Sequence, residues 1–129
     1  MLKKDYLHLE TTNRCTLKCP ACPRTVWQNL IKQPIQKADL NPDHLKSFLD
    51  CKSMEDIDTF TLCGDYGDTI YYPHLFRLIK MFREKAFSIS TNGSYKSKEW
   101  WTELNRLLTD RDTIIFGIDG LGDQNLKYR

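Results

Sequence analysis

The sequence predicts an α/β fold with a parallel sheet of βα repeats, an incomplete (partial) TIM-type barrel of about four strands. Three observations carry this. Strand-like runs alternate with amphipathic helical runs in the order β-α-β-α-β-α-β. The connections are long enough for right-handed crossovers. The four stretches of unusual composition, a cysteine loop, GDYGD, an Asn-Gly turn and an Asp-Gly turn, all follow strands. In parallel sheets that end of the strands carries the functional loops.

Taken in order, residues 5–10, DYLHLE, alternate apolar and polar and lead into the cysteine loop. Asn41 is a helix cap and Pro42 suits the first helical position, with Leu45, Phe48 and Leu49 at helical spacing behind them. Residues 57–63, IDTFTLC, form a second strand that ends in GDYGD. Leu75, Leu78, Ile79 and Phe82 mark the next amphipathic helix. Residues 86–91, AFSIST, form a third strand stopped by Asn92-Gly93, and Ser97 caps a helix that buries Trp101, Leu104 and Leu108. Residues 113–119, TIIFGID, form the fourth.

Strand phase separates two faces. One carries Tyr6, His8, Glu10, Thr59, Thr61, Cys63, Ser88, Ser90, Gly117 and Asp119; the other carries Leu7, Leu9, Phe60, Leu62, Phe87, Ile89, Phe116 and Ile118. An apolar face under helices and a more polar opposite face predict a sheet curling around a cavity.

The totals bound the function. A chain of 129 residues is one domain, residues 1–129, with enough length for a core. Hydrophobic residues at 40% and charged residues at 28% are ordinary for a globular protein. The net charge of +2 is spread along the chain, so no nucleic-acid face is expected. No apolar stretch approaches the roughly 20 residues a membrane span needs. MLKKDYLHLE has no hydrophobic segment after its lysines, so no signal peptide is read and a cytoplasmic location is expected. In that reducing setting, five cysteines favour metal ligation over disulfides.

The chemistry concentrates in TTNRCTLKCPACPR, residues 11–24, where Cys15, Cys19 and Cys22 fall within eight residues. Thiolates hold iron–sulfur clusters, usually as four cysteines. Spacings of three and two intervening residues on one loop can wrap three corners of a cubane and leave one iron open. The alternatives are a zinc loop completed by Cys51, Cys63 or His8, which would need four tetrahedral ligands, or buried cysteines with no metal. Packing explains three cysteines at this spacing poorly, so the open cluster is favoured.

CTLKCPAC resembles the CxxxCxxC signature of the radical S-adenosylmethionine (radical SAM) enzymes. GDTIYYPHL, residues 67–75, resembles that family's GEPLLHP stretch; STNG, residues 90–93, and GIDG, residues 117–120, resemble its third- and fourth-strand motifs. These matches keep the family's order over essentially the whole chain.

The resemblance implies that Cys15, Cys19 and Cys22 ligate three irons of a [4Fe–4S] cluster and that S-adenosylmethionine chelates the fourth. It further implies reductive cleavage of S-adenosylmethionine to methionine and a 5′-deoxyadenosyl radical. An electron donor of flavodoxin or ferredoxin type would supply the electron, and the substrate would be a peptide or a small molecule. Expected cofactor-binding residues are Ala21, Gly64, Gly67, Asp68, Ser90, Thr91, Asn92 and Asp119. The two glycines would let the backbone approach a ligand, and Asp68 would accept from its ammonium group. Each also reads as an ordinary turn residue. His8 reads as a core histidine, Cys63 and Cys51 as structural, Trp100 and Trp101 as packing, and Arg14 and Arg24 as solvated.

Three positions depart from the family pattern. Ala21 stands where an aromatic residue is common, Thr69 replaces the proline of GEP, and Gly117 replaces the serine of SxDG. The family's barrel has six βα units, so the chain is expected to be a core domain truncated after strand four. An open strand edge would call for a partner chain completing the barrel, or make the isolated chain poorly soluble. The competing function is a non-catalytic iron–sulfur or zinc-binding module, a degenerate partner subunit.

Overall fold

A computed structural model describes residues 6–51 and 54–128. Its four strands, β1 (Tyr6–His8), β2 (Thr59–Leu62), β3 (Ala86–Thr91) and β4 (Thr113–Phe116), form one sheet in chain order with every pairing parallel. The expected α/β class with a parallel sheet of four strands is therefore the one observed. Because each crossover adds its strand on the same side, right-handed connections stack the helices on one face and leave the other free. This is the arrangement of a partial barrel rather than of a doubly wound sheet.

The helices are α1 (Pro23–Ile31), α2 (Pro42–Leu49), α3 (Leu75–Met81), α4 (Lys98–Leu107) and α5 (Asp123–Tyr128), with a 3-10 turn over Thr69–Tyr71. Local chemistry sets the starts of two of them. The Asn41 side chain accepts from the amides of Asp43 and His44 ahead of Pro42, and Ser97 accepts from the Trp100 amide. Both caps satisfy amides that have no partner within the helix.

The expected apolar face holds in β2 and β3 but not in β4, where Phe116 is exposed, as is Ile118 just beyond it. Phe60, Leu62, Phe87 and Ile89 are buried with Leu78, Ile79 and Leu104 from α3 and α4. Phe60 meets Phe82 and Phe87 edge-on, at 5.2 and 5.6 Å between ring centres. On the other face, register aligns Tyr6 with Thr59, Thr61 with Ser88, and Ser90 with Ile115.

Several expectations need correction. Helix α1 was not foreseen. Strand β2 covers Thr59–Leu62 rather than 57–63, and the edge strands are also shorter than predicted, although the bonds from Leu9 N to Thr61 O (2.9 Å) and from Gly117 N to Thr91 O (2.8 Å) continue both edge ladders by one residue. Asp5, the first residue of the predicted strand 5–10, lies outside the described residues. Phe48 is exposed on α2, and His8 is exposed because β1 is an edge strand whose free face has no cover.

Candidate functional site

The cysteine loop is tied down at its root. Thr12 Oγ1 donates to Asp39 Oδ1 at 2.7 Å, and the Arg14 guanidinium forks onto the same carboxylate, with Nε at 2.9 Å from Oδ1 and Nη2 at 2.6 Å from Oδ2. Arg14 is thus paired rather than simply solvated, and its hydrogen bond holds the Asp39 carboxyl below the usual range. Arg24 Nε donates to the Asn13 carbonyl at 3.1 Å, bracing the loop from the first turn of α1. The Cys22 amide then bonds back to the Cys19 carbonyl at 3.0 Å, turning the chain into α1, where Pro23 takes the first position.

The next two rim loops are joined through Asp68. This side chain is 5% exposed. Its Oδ1 accepts from Ile70 N at 3.1 Å and Thr91 Oγ1 at 2.8 Å, and its Oδ2 accepts from Asn92 N at 2.7 Å. The Asp68 amide donates to the Arg14 carbonyl at 2.7 Å, so one residue links the ends of β1, β2 and β3. The glycines beside it serve the same junction. A Cβ on Gly67 would lie 2.0 Å from the Thr12 carbonyl oxygen, and one on Gly64 would lie 1.9 Å from the Gly67 carbonyl oxygen. The close approach expected of these glycines is made to the protein's own backbone.

A cavity of about 320 Å³ opens between these loops. It brings together Cys15, Cys19 and Cys22 with Gly64, Gly67, Asp68, Ser90, Thr91, Asn92 and Asp119. Ala21 is the one expected site residue outside that lining; it is exposed. Sequence reasoning did not include Arg24, Cys63, Tyr66 and Ile115 among the site residues, yet they also face the cavity. Strand phase was the available signal for Cys63 and Ile115, since both share the polar face with Ser90. Tyr66 sits inside the GDYGD motif already singled out.

All five cysteines are free thiols, and the three of the loop are half-buried. Cys15 Sγ accepts from the Leu17 amide at 3.4 Å and from Asn92 Nδ2 at 3.6 Å. Burial pushes the Cys15 thiol up, and the Leu17 hydrogen bond pulls against it. Cys22 Sγ lies 3.9 Å from the Asp65 carbonyl, to which it can donate.

Among the described residues, no three His, Cys, Asp or Glu side chains converge as ligands of one metal ion would. A zinc site needs such convergence at about 2.0–2.3 Å from the ion. Of the side chains proposed to complete it, His8 Nε2 is 2.9 Å from the Cys63 carbonyl, Cys51 is exposed, and Cys63 lines the cavity with the three loop cysteines. Three thiols line one cavity, and Cys15 Sγ carries two N–H donors, which suits the donor chemistry of an iron–sulfur cluster. The residues present therefore fit that group.

Fold and site together define a partial parallel βα barrel with a three-cysteine loop on its C-terminal rim. No protein-family model matches the chain. Over 119 residues, 90% of its length, it is 28% identical to the tungsten-containing aldehyde ferredoxin oxidoreductase cofactor-modifying protein of Pyrococcus furiosus. The fold is similar to that of BtrN, whose crystal structure is in complex with AdoMet and 2-DOIA, with a TM-score of 0.61 at 13% identity over 92% of the chain. The matched part is 31% of the length of the curated relative and 58% of the BtrN chain. Among the described residues no helix is long and apolar enough to cross a membrane.

Proposed function

We propose that this chain forms the cluster-binding part of a radical SAM enzyme. The observation that carries the reading is the shared cavity: three half-buried thiols at CxxxCxxC spacing face the loops that end β2, β3 and β4. The relative from Pyrococcus furiosus and the likeness to a fold that binds AdoMet support it. Cys15, Cys19 and Cys22 would hold three irons of a [4Fe–4S] cluster, and S-adenosylmethionine would occupy the open position beside Ser90, Thr91, Asn92 and Asp119. When bound and reduced, this pair supplies homolytic cleavage of the sulfonium C–S bond and a hydrogen-abstracting radical.

The chain's own residues do the positioning. Asp68 fixes the Thr91 hydroxyl and the Asn92 amide against the cysteine loop. Because its carboxylate already accepts three hydrogen bonds, its part in cofactor binding is mainly to hold that wall in place. Gly64 and Gly67 let the rim loops press against each other and against the root of the cysteine loop.

The likeness to a cofactor-modifying protein favours a small molecule over a peptide as substrate. The electron would come from a low-potential donor of flavodoxin or ferredoxin type in the cytoplasm.

A second reading is a non-catalytic iron–sulfur or zinc-binding module, a degenerate partner subunit; Gly117, standing where the SxDG motif has its serine and lining the cavity, favours it. Anaerobic reconstitution with iron and sulfide, reduction with dithionite and addition of S-adenosylmethionine separate the two. The enzyme reading expects 5′-deoxyadenosine and methionine. A stable cluster without cleavage supports the non-catalytic reading, and a protein that takes up only zinc, with its thiols engaged, contradicts both the cluster and the radical chemistry.

A further inference from the structure

We propose that Asn92 is a positioning residue that raises the reduction potential of a cluster held at Cys15, by a side-chain hydrogen bond to the sulfur. This inference rests on the cluster-binding reading above and adds a role for one residue within it.

The geometry fixes which end of the Asn92 amide meets the thiol. The Ser94 backbone N–H, which can only donate, lies 2.8 Å from the side-chain oxygen Oδ1, and the Ser94 hydroxyl donates to the same atom. That oxygen is therefore the acceptor, and the amide nitrogen must point the other way. Nδ2 then lies 3.6 Å from Cys15 Sγ, within reach for a donor to the larger sulfur atom. The backbone of Asn92 is held independently, its amide donating to the buried Asp68 carboxylate at 2.7 Å. The donor is thus clamped at both ends before any cluster binds.

Hydrogen bonds to cluster sulfurs are one of the levers that set reduction potential. Reduction adds negative charge to the cluster and its thiolates, so an N–H aimed at sulfur stabilises the reduced form more than the oxidised form. Cys15 Sγ receives a second such bond from the Leu17 amide at 3.4 Å. A turn alone would explain the Ser94 contacts, but it does not require the nitrogen to face a thiol from a loop 77 positions away in the chain.

The test is a reductive titration of the reconstituted protein, followed by EPR, on the wild type and on Asn92→Asp and Asn92→Ala. Asn92→Asp keeps the oxygen that the Ser94 amide needs and removes the donor; Asn92→Ala removes the donor without adding charge. Both are expected to shift the midpoint negatively, by up to about tenfold in the reduction equilibrium, about 59 mV for one electron. A shift in Asn92→Asp alone would assign the effect to added charge and overturn the proposal, as would no shift in either.

A second measurement needs no variant. In wild-type protein isotopically labelled at asparagine side-chain nitrogen, pulsed EPR of the reduced cluster is expected to show a weak coupling to that nitrogen. Its absence overturns the proposal. Failure of the wild type to assemble a cluster is a different result, since it removes the reading beneath the inference.

Discussion

The β2–β3 rim and the cysteine loop line the same cavity but are held in opposite ways. At the β2–β3 rim, a 5%-exposed carboxylate accepts three hydrogen bonds, and glycines let backbone segments press together. The cysteine loop is fixed at its root by Arg14 and Asp39, while Thr16, Lys18, Pro20 and Ala21 beyond it are exposed. The thiols at this second wall take little part in holding the fold. Polar groups committed to structure and groups available for chemistry thus sit a few ångströms apart, and residue type alone does not say which is which.

Removing the tie should expose this contrast most strongly. Asp68→Ala leaves the amides of Ile70 and Asn92 and the Thr91 hydroxyl without their acceptor in a buried setting. A loss of about 3 kcal/mol is expected in urea unfolding, since bonds to a charged group are worth about 1.5–3 kcal/mol each and the losses are not additive. Gly67→Ala comes next: its Cβ meets a backbone carbonyl that cannot swing aside, so overpacking should cost about 2 kcal/mol. A Gly67→Ala protein as stable as the wild type would show that the rim is looser than described.

The matching change at the other wall should do little to stability. Single Cys15→Ser, Cys19→Ser or Cys22→Ser substitutions at half-exposed positions are expected to stay within about 0.5 kcal/mol. Each should nevertheless abolish stable iron uptake. An unfolding midpoint that falls as far as that of Asp68→Ala would erase the distinction between the two walls.

The smallest effect is expected at the loop root. The hydrogen bond from Arg14 depresses the Asp39 carboxyl, so its contribution to stability is present above the ordinary aspartate range. It is lost as pH falls through the lowered value. Partial exposure keeps it modest, as for other surface ion pairs. Asp39→Asn should lower stability slightly at neutral pH and leave it unchanged at pH below the lowered value, so the acid side of the stability–pH curve flattens.

Much of this contrast was legible in advance where local signals agree. Strand β3 matches its expected span because an alternating apolar face ends at an Asn-Gly stop, and the Asn41 and Ser97 caps mark their helices for similarly local reasons. Helix α1 was missed because Val26, Trp27 and Leu30 are exposed and give it no buried stripe; Pro23 at its first position was the usable sign. The Arg14–Asp39 pair and the Asp68 bonds to Thr91 and Asn92 join residues 25, 23 and 24 positions apart. No local pattern announces such pairings; the Asp68 bonds follow from the parallel sheet that brings the strand ends together, and the Arg14–Asp39 pair from an antiparallel bridge between Thr12 and Asp39. For the same reason Asp68 read as a ligand candidate, while its structural bonds stayed invisible.

The most direct test of the central claim is EPR of the reduced, anaerobically reconstituted protein before and after S-adenosylmethionine is added. If three cysteines leave one iron open, a [4Fe–4S] signal should be present and should change when the ligand binds that iron. A signal that the ligand leaves untouched, or the absence of any cluster in protein with all three cysteines intact, would contradict the claim.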